Sequence, residues 1–138
     1  MDFTQERTAF LAGYGQFDAL LAGLDAGRFD IVANQISITD EREVSYDFST
    51  PYTVSRGAVI TATDDTDITS LADLAGKTTA QSQSSNFYDT AKDAGADVQV
   101  VEGWAQSVAL VEQGRIDATV NDELTFLDYV KTNPEQAA

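Results

Sequence analysis

The chain has 138 residues, 43% of them apolar, which suits one domain or two small lobes with a real core and argues against disorder. Acidic residues outnumber basic ones 23 to 8, so nucleic acid and anionic membrane surfaces would repel it. Cysteine and histidine are both absent, which removes thiol nucleophiles, disulfides, histidine bases and the usual zinc ligands. No apolar run approaches the roughly 20 residues needed to span a bilayer. Met1 to Arg7 is polar and charged, so no signal peptide is expected in this chain.

Residues 1 to 13 show no clean pattern. From Gln16, Phe17, Leu20, Leu21 and Leu24 recur at helical spacing, with Asp18 in the first turn and Gly27 as the stop. Phe29 to Ala33 reads as a buried strand. It runs into the polar cluster Asn34-Gln35-Ile36-Ser37, and Thr39 then caps a short helix to Val44 that carries Arg42. An arginine entering a helix beside amides and hydroxyls offers a planar fork to a carboxylate; a surface arginine is the plain alternative. Tyr46 to Ser49 is extended, and Pro51 opposes a long helix there.

Arg56 to Ala62 reads as a strand, and the acidic stretch Thr63 to Asp67 as a loop. That loop lacks the glycine and distal glutamate of a helix-loop-helix calcium site, so no metal is expected. Ile68 to Leu74 is a short capped helix ended by Gly76. Strands at 77–81, 98–101 and 116–120 then alternate with helices at 84–94, 104–113 and 124–131, with Gly95 and Gly114 as stops. Such alternation predicts an α/β fold with a mostly parallel sheet and flanking helices, binding ligands beyond the carboxyl ends of its strands. Three polar clusters stand at such ends: Asn34 to Ser37, Ser82 to Asn86, and Asn121-Asp122.

The ordered blocks Phe17-Asp18-Ala19-Leu20-Leu21-Ala22-Gly23-Leu24, Gly27-Arg28-Phe29-Asp30, Ala33 to Thr39 with Arg42, and Tyr46 to Tyr52 carry a family resemblance. So do Asp73 to Thr78, Ala80-Gln81-Ser82, Ser85-Asn86 and Gly114 to Asp122. Together they resemble the extracellular solute-binding proteins of ABC importers for polar amino acids, with the cystine-binding branch as the best fit. The resemblance implies a periplasmic-binding-protein-like fold of two lobes with ligand clamped between them. It implies a partial first lobe at residues 1–54 and a second lobe at 55–138 lacking its return strand, a chain truncated at both ends. It implies an amino-acid ligand, an ABC permease as partner, a periplasmic or lipid-anchored extracellular location, and no enzymatic activity or cofactor. Dehydratases or lyases on the same fold, and sensor domains, are the alternatives. The missing pieces predict that two copies exchange elements to cover open sheet edges.

The resemblance also assigns roles. Arg42 binds the ligand carboxylate, and Asp122 its ammonium, a role compatible with capping the following helix. Gln35 and Ser37 offer amide, hydroxyl and backbone groups. Ser84, Ser85 and Asn86 stand where a helix start leaves N–H groups unpaired. Phe17 covers the ligand or belongs to the core. Asp117 is read as structural, Trp104 as core, and Gln106 as a residue approaching the cleft.

Overall fold

Short runs of small and β-branched residues, each closed by a polar turn, build a four-stranded sheet in the second half of the chain. A computed structural model describes residues 17–134. In chain order the elements are α1 (Asp18–Asp25), α2 (Asp40–Glu43), β1 (Gly57–Thr61), a 3-10 turn (Leu71–Leu74), β2 (Thr78–Gln81), α3 (Asn86–Asp93), β3 (Asp97–Val100), α4 (Trp104–Glu112), β4 (Ala118–Asp122) and α5 (Glu123–Thr132). The sheet order is β1-β4-β2-β3. β2 runs parallel to both β3 and β4, whereas β1 is antiparallel to β4, from Gly57 opposite Asp122 to Thr61 opposite Ala118. The expected α/β sheet is therefore present, mixed rather than wholly parallel.

Helices pack on both faces of the sheet, against a different apolar cluster on each. On one face Ala118 and Val120 of β4 pack with Ile68, Leu74 and Ala91 of α3. On the other, Ala80 of β2 packs with Val101, Ile116 and Leu110 and Val111 of α4. Local chemistry sets the ends of these elements. At Gly114, φ of +63° lets the chain reverse, and Gly114 and Arg115 donate to the carbonyls of Val111 and Leu110. The Asp73 carboxylate accepts from the backbone N–H and hydroxyl of both Thr69 and Ser70, which holds its pKa below the usual carboxylate value.

Residues 29–33 do not form the expected strand. A strand needs a ladder partner, and all four strands of the sheet lie between Gly57 and Asp122. Phe29 instead packs against α1, its ring filling the place where a Cβ on Gly23 would sit 2.5 Å from Cζ. Ile31 is left 70% exposed. The cluster Asn34 to Ser37 thus lies in irregular chain rather than at a strand end. The patternless residues 1 to 13 lie outside the described part.

β2 and β4 share one paired position, Thr79 with Ala118. Beyond it, side chains do what a ladder does elsewhere. The Thr119 hydroxyl donates to the Ala80 carbonyl at 2.9 Å. The Gln81 amide, in the orientation that satisfies its partners, donates to Val120 O at 2.9 Å and accepts from Val120 N at 2.7 Å. Before the paired position, Asp117 accepts from Thr78 N at 2.7 Å, the structural role expected of it. The seam opens toward the carboxyl ends, and Gln81 spans the opening. Gln81→Leu is expected to lower the unfolding free energy by about 1–3 kcal/mol, because both polar groups of Val120 lose their partner. Urea denaturation checks this; an unchanged midpoint at an unchanged slope would show that Gln81 does not hold the seam.

Candidate functional site

The sheet order places a switch point between β2 and β4: the chain leaves β2 for β3 on one side and returns to β4 on the other. Such points leave a crevice beyond the strand ends. A cleft of about 590 Å³ lies there. Its walls include Gln81, Ser82, Ser85 and Asn86 after β2, Glu102 to Ser107 after β3, and Asn121 and Asp122 at the end of β4. Phe17 and Ala33 to Ser37 close it from the front part of the chain.

Six of the expected site residues line this one cleft: Phe17, Gln35, Ser37, Ser85, Asn86 and Asp122. Arg42 and Ser84 are not among the residues that line it; they are bonded to each other next to Ser37 and Ser85, which are. Arg42 Nη2 donates to Ser84 O and Nη1 to Ser37 O, both at 2.9 Å. The residue is 8% exposed, and its guanidinium lies 6.0 Å from the centre of the Phe17 ring. Among the described residues no carboxylate pairs with it; the ion pair there joins Arg56 to Glu123. Burial lowers the Arg42 pKa, with Glu41 and Tyr46 acting the other way. Thr39 caps α2 as expected, its hydroxyl accepting from Arg42 N, so the cap fixes where the guanidinium starts.

Asp122 performs the capping role foreseen for it. Its Oδ1 accepts from Leu124 N at 2.9 Å and from the Ser55 hydroxyl at 2.8 Å. Oδ2 has no partner among the described residues. At α3, Ser85 caps by accepting from Phe87 N, and the Asn86 N–H has no acceptor among the described residues. Gln35 adopts φ of +52°, a backbone state uncommon for a residue with a side chain. Its N–H donates to the Tyr52 hydroxyl at 2.8 Å. Phe17 lines the cleft with its ring toward Arg42 and belongs to neither apolar core cluster. Trp104 is half-buried rather than core, meets Tyr129 edge-on at 6.2 Å and lines the cleft, as does Gln106.

Asp18 was not foreseen. It accepts from both the N–H and the hydroxyl of Ser84. An acid in the first turn of a helix has a sufficient local reason to be there, so nothing in its spacing announces a contact 66 residues away. Ser84 is therefore held twice from the front part of the chain, through its N–H and hydroxyl by Asp18 and through its carbonyl by Arg42.

Residues 10–88, over half of the chain, match the model of the bacterial extracellular solute-binding proteins, family 3. The L-cystine-binding protein TcyA of Bacillus subtilis is 52% identical over 118 residues, which cover 86% of this chain and 44% of that protein. The L-cystine solute receptor of Neisseria gonorrhoeae, in its unliganded open conformation, is 51% identical with a TM-score of 0.58, covering 86% of this chain and 51% of that one. An ancestral arginine-binding protein bound to glutamine is 32% identical with a TM-score of 0.81, covering 88% of this chain and 55% of that one. The chain spans about half the length of the curated relatives it matches. It belongs to the bacterial extracellular solute-binding proteins, family 3.

Proposed function

We propose that this chain supplies part of the binding cleft of an extracytoplasmic receptor for a polar amino acid, L-cystine or a close analogue, feeding an ABC import permease. The receptor works in the periplasm or tethered to the outer membrane surface by a lipid, and it captures ligand without chemical turnover. The observation that carries this reading is a buried guanidinium with no carboxylate partner among the described residues, bonded to the carbonyl of Ser37, which lines the same cleft as Asp122. Among the described residues two carbonyls occupy two of the five N–H groups of Arg42, which leaves donors for a bound anion. Ser37 and Ser85, beside the Arg42 bonds, line the cleft, so a carboxylate seated there meets the guanidinium and the open Asn86 N–H. The Oδ2 of Asp122, without a partner among the described residues, then takes the ammonium. The names of the relatives support the ligand class, and the better overlay on the ligand-bound relative than on the open receptor supports a closed arrangement.

The division into a first lobe up to residue 54 and a second from residue 55 rests on the same reading. Open apolar side chains in the front part, Ile31 at 70% and Val54 at 92% exposure, support an exchanged homodimer that covers them. Light scattering on the purified chain is expected to give the mass of two copies; a monomer would end that part of the proposal.

Arg42→Lys keeps the charge and loses the planar fork, so calorimetric affinity for L-cystine should fall about a hundredfold. Asp122→Asn should weaken binding similarly while leaving the melting temperature nearly unchanged, because asparagine caps a helix as well as aspartate does. Unaltered affinity in both variants would remove the pair from the site.

A further inference from the structure

The front part of the chain and its second half both wall the cleft, and the polar contacts between them converge on one residue. Among the described residues, every hydrogen bond that joins residues 17–54 to residues 57–134 ends on Ser84. Ser55 and Arg56, at the covalent joint between the two parts, bond to Asp122 and Glu123. Asp18, at the start of α1, accepts from the Ser84 N–H at 3.0 Å and from its hydroxyl. Arg42 of α2 donates to the Ser84 carbonyl at 2.9 Å. The donors of Ser84 thus meet an anion and its acceptor meets a cation, so each bond is charge-assisted. Asp18 and Ser84 are both exposed, and neither is among the residues that line the cleft. Water takes over their polar groups when the two parts separate, so these bonds form and break without stranding a buried polar group on either residue. The turn that holds Ser84 continues into Ser85, the cap of α3, and Asn86, both on the cleft wall.

We propose that Asp18 and Ser84 form a latch that holds the front part of the chain against the turn after β2, and that Asp18 is a positioning residue that sets ligand affinity without touching ligand. The inference rests on the amino-acid reading above and adds how the site is held shut. Arg42 serves both the latch and the ligand, whereas Asp18 serves the latch alone. A ligand that needs walls from both parts binds only the closed arrangement, so its apparent affinity scales with the closed fraction. Loss of Asp18 lowers that fraction before any ligand arrives. An acid in the first turn of α1 also favours that helix through its dipole. The dipole effect ends within α1 and does not involve the Ser84 hydroxyl, so the two roles are separable by changing Ser84.

The chain has no cysteine, so Glu43→Cys and Asp89→Cys, on exposed positions of α2 and α3, give a single pair of spin labels across the latch. Without ligand, double electron–electron resonance is expected to show one short distance in this labelled background and a second, longer one once Asp18→Ala is added. Ser84→Ala, which leaves α1 untouched, should give a smaller change in the same direction, and no further change in the Asp18→Ala background, because the two residues act through one contact. Affinity for L-cystine by calorimetry should fall about tenfold in Asp18→Ala, in step with the closed fraction. An unaltered distance distribution in both variants, or effects of the two that simply add, would overturn the latch while leaving the amino-acid reading intact. If the distances respond as expected but L-cystine does not bind the unmodified chain, the latch stands and the amino-acid reading falls.

Discussion

The buried guanidinium of Arg42, which has no anion partner among the described residues, is the constraint on which this structure turns. Taking an arginine out of water is costly unless its donors are satisfied, and two carbonyl bonds satisfy only part of the fork. Those bonds reach Ser37, five residues away, and Ser84, 42 residues away. The second draws the front part of the chain against the turn after β2, and Asp18 reinforces the contact from α1. One turn of backbone thus carries charge-assisted bonds to both a cation and an anion. In the proposed function, the arrangement that brings front and back together also prepares the place for the ligand's carboxylate.

The cleft exists because the sheet is incomplete at its centre. Continuous pairing of β2 with β4 would bring their carboxyl ends together. With a single paired position, the seam depends on Gln81 and Thr119, whose bonds to the neighbouring strand keep backbone groups satisfied as the strands part. Gln81 lines the cleft as well as bridging the seam, so the group that stabilises the opening is also part of its surface. Stability and access are coupled in one side chain.

Local rules made much of this legible in advance. Helix caps at Thr39 and Asp122, and the reversals at Gly95 and Gly114, depend on neighbours within a few residues, and each is found where spacing placed it. Residues 29–33 show the opposite case. Their apolar pattern is that of a strand, but strand formation depends on a partner, and pattern alone does not supply one. Asn34 to Ser37 reached the cleft for a different reason than the one first assigned, as irregular chain with Gln35 at positive φ rather than as a strand end. Asp18 and Gln81 were hidden because each acts across the fold, while each also has an ordinary local reason to be where it is.

The central claim is that Arg42 receives the carboxylate of a bound amino acid. Its most direct test is the proton–nitrogen correlation spectrum of the arginine Nε groups, of which the chain has five. On adding L-cystine, the account predicts that one signal, identified by its loss in Arg42→Lys, shifts strongly and exchanges more slowly with water while the other four stay in place. If the backbone amides of Asn86 and Asp122 respond to ligand and the Arg42 signal does not, the guanidinium is not the carboxylate's partner and the account is contradicted.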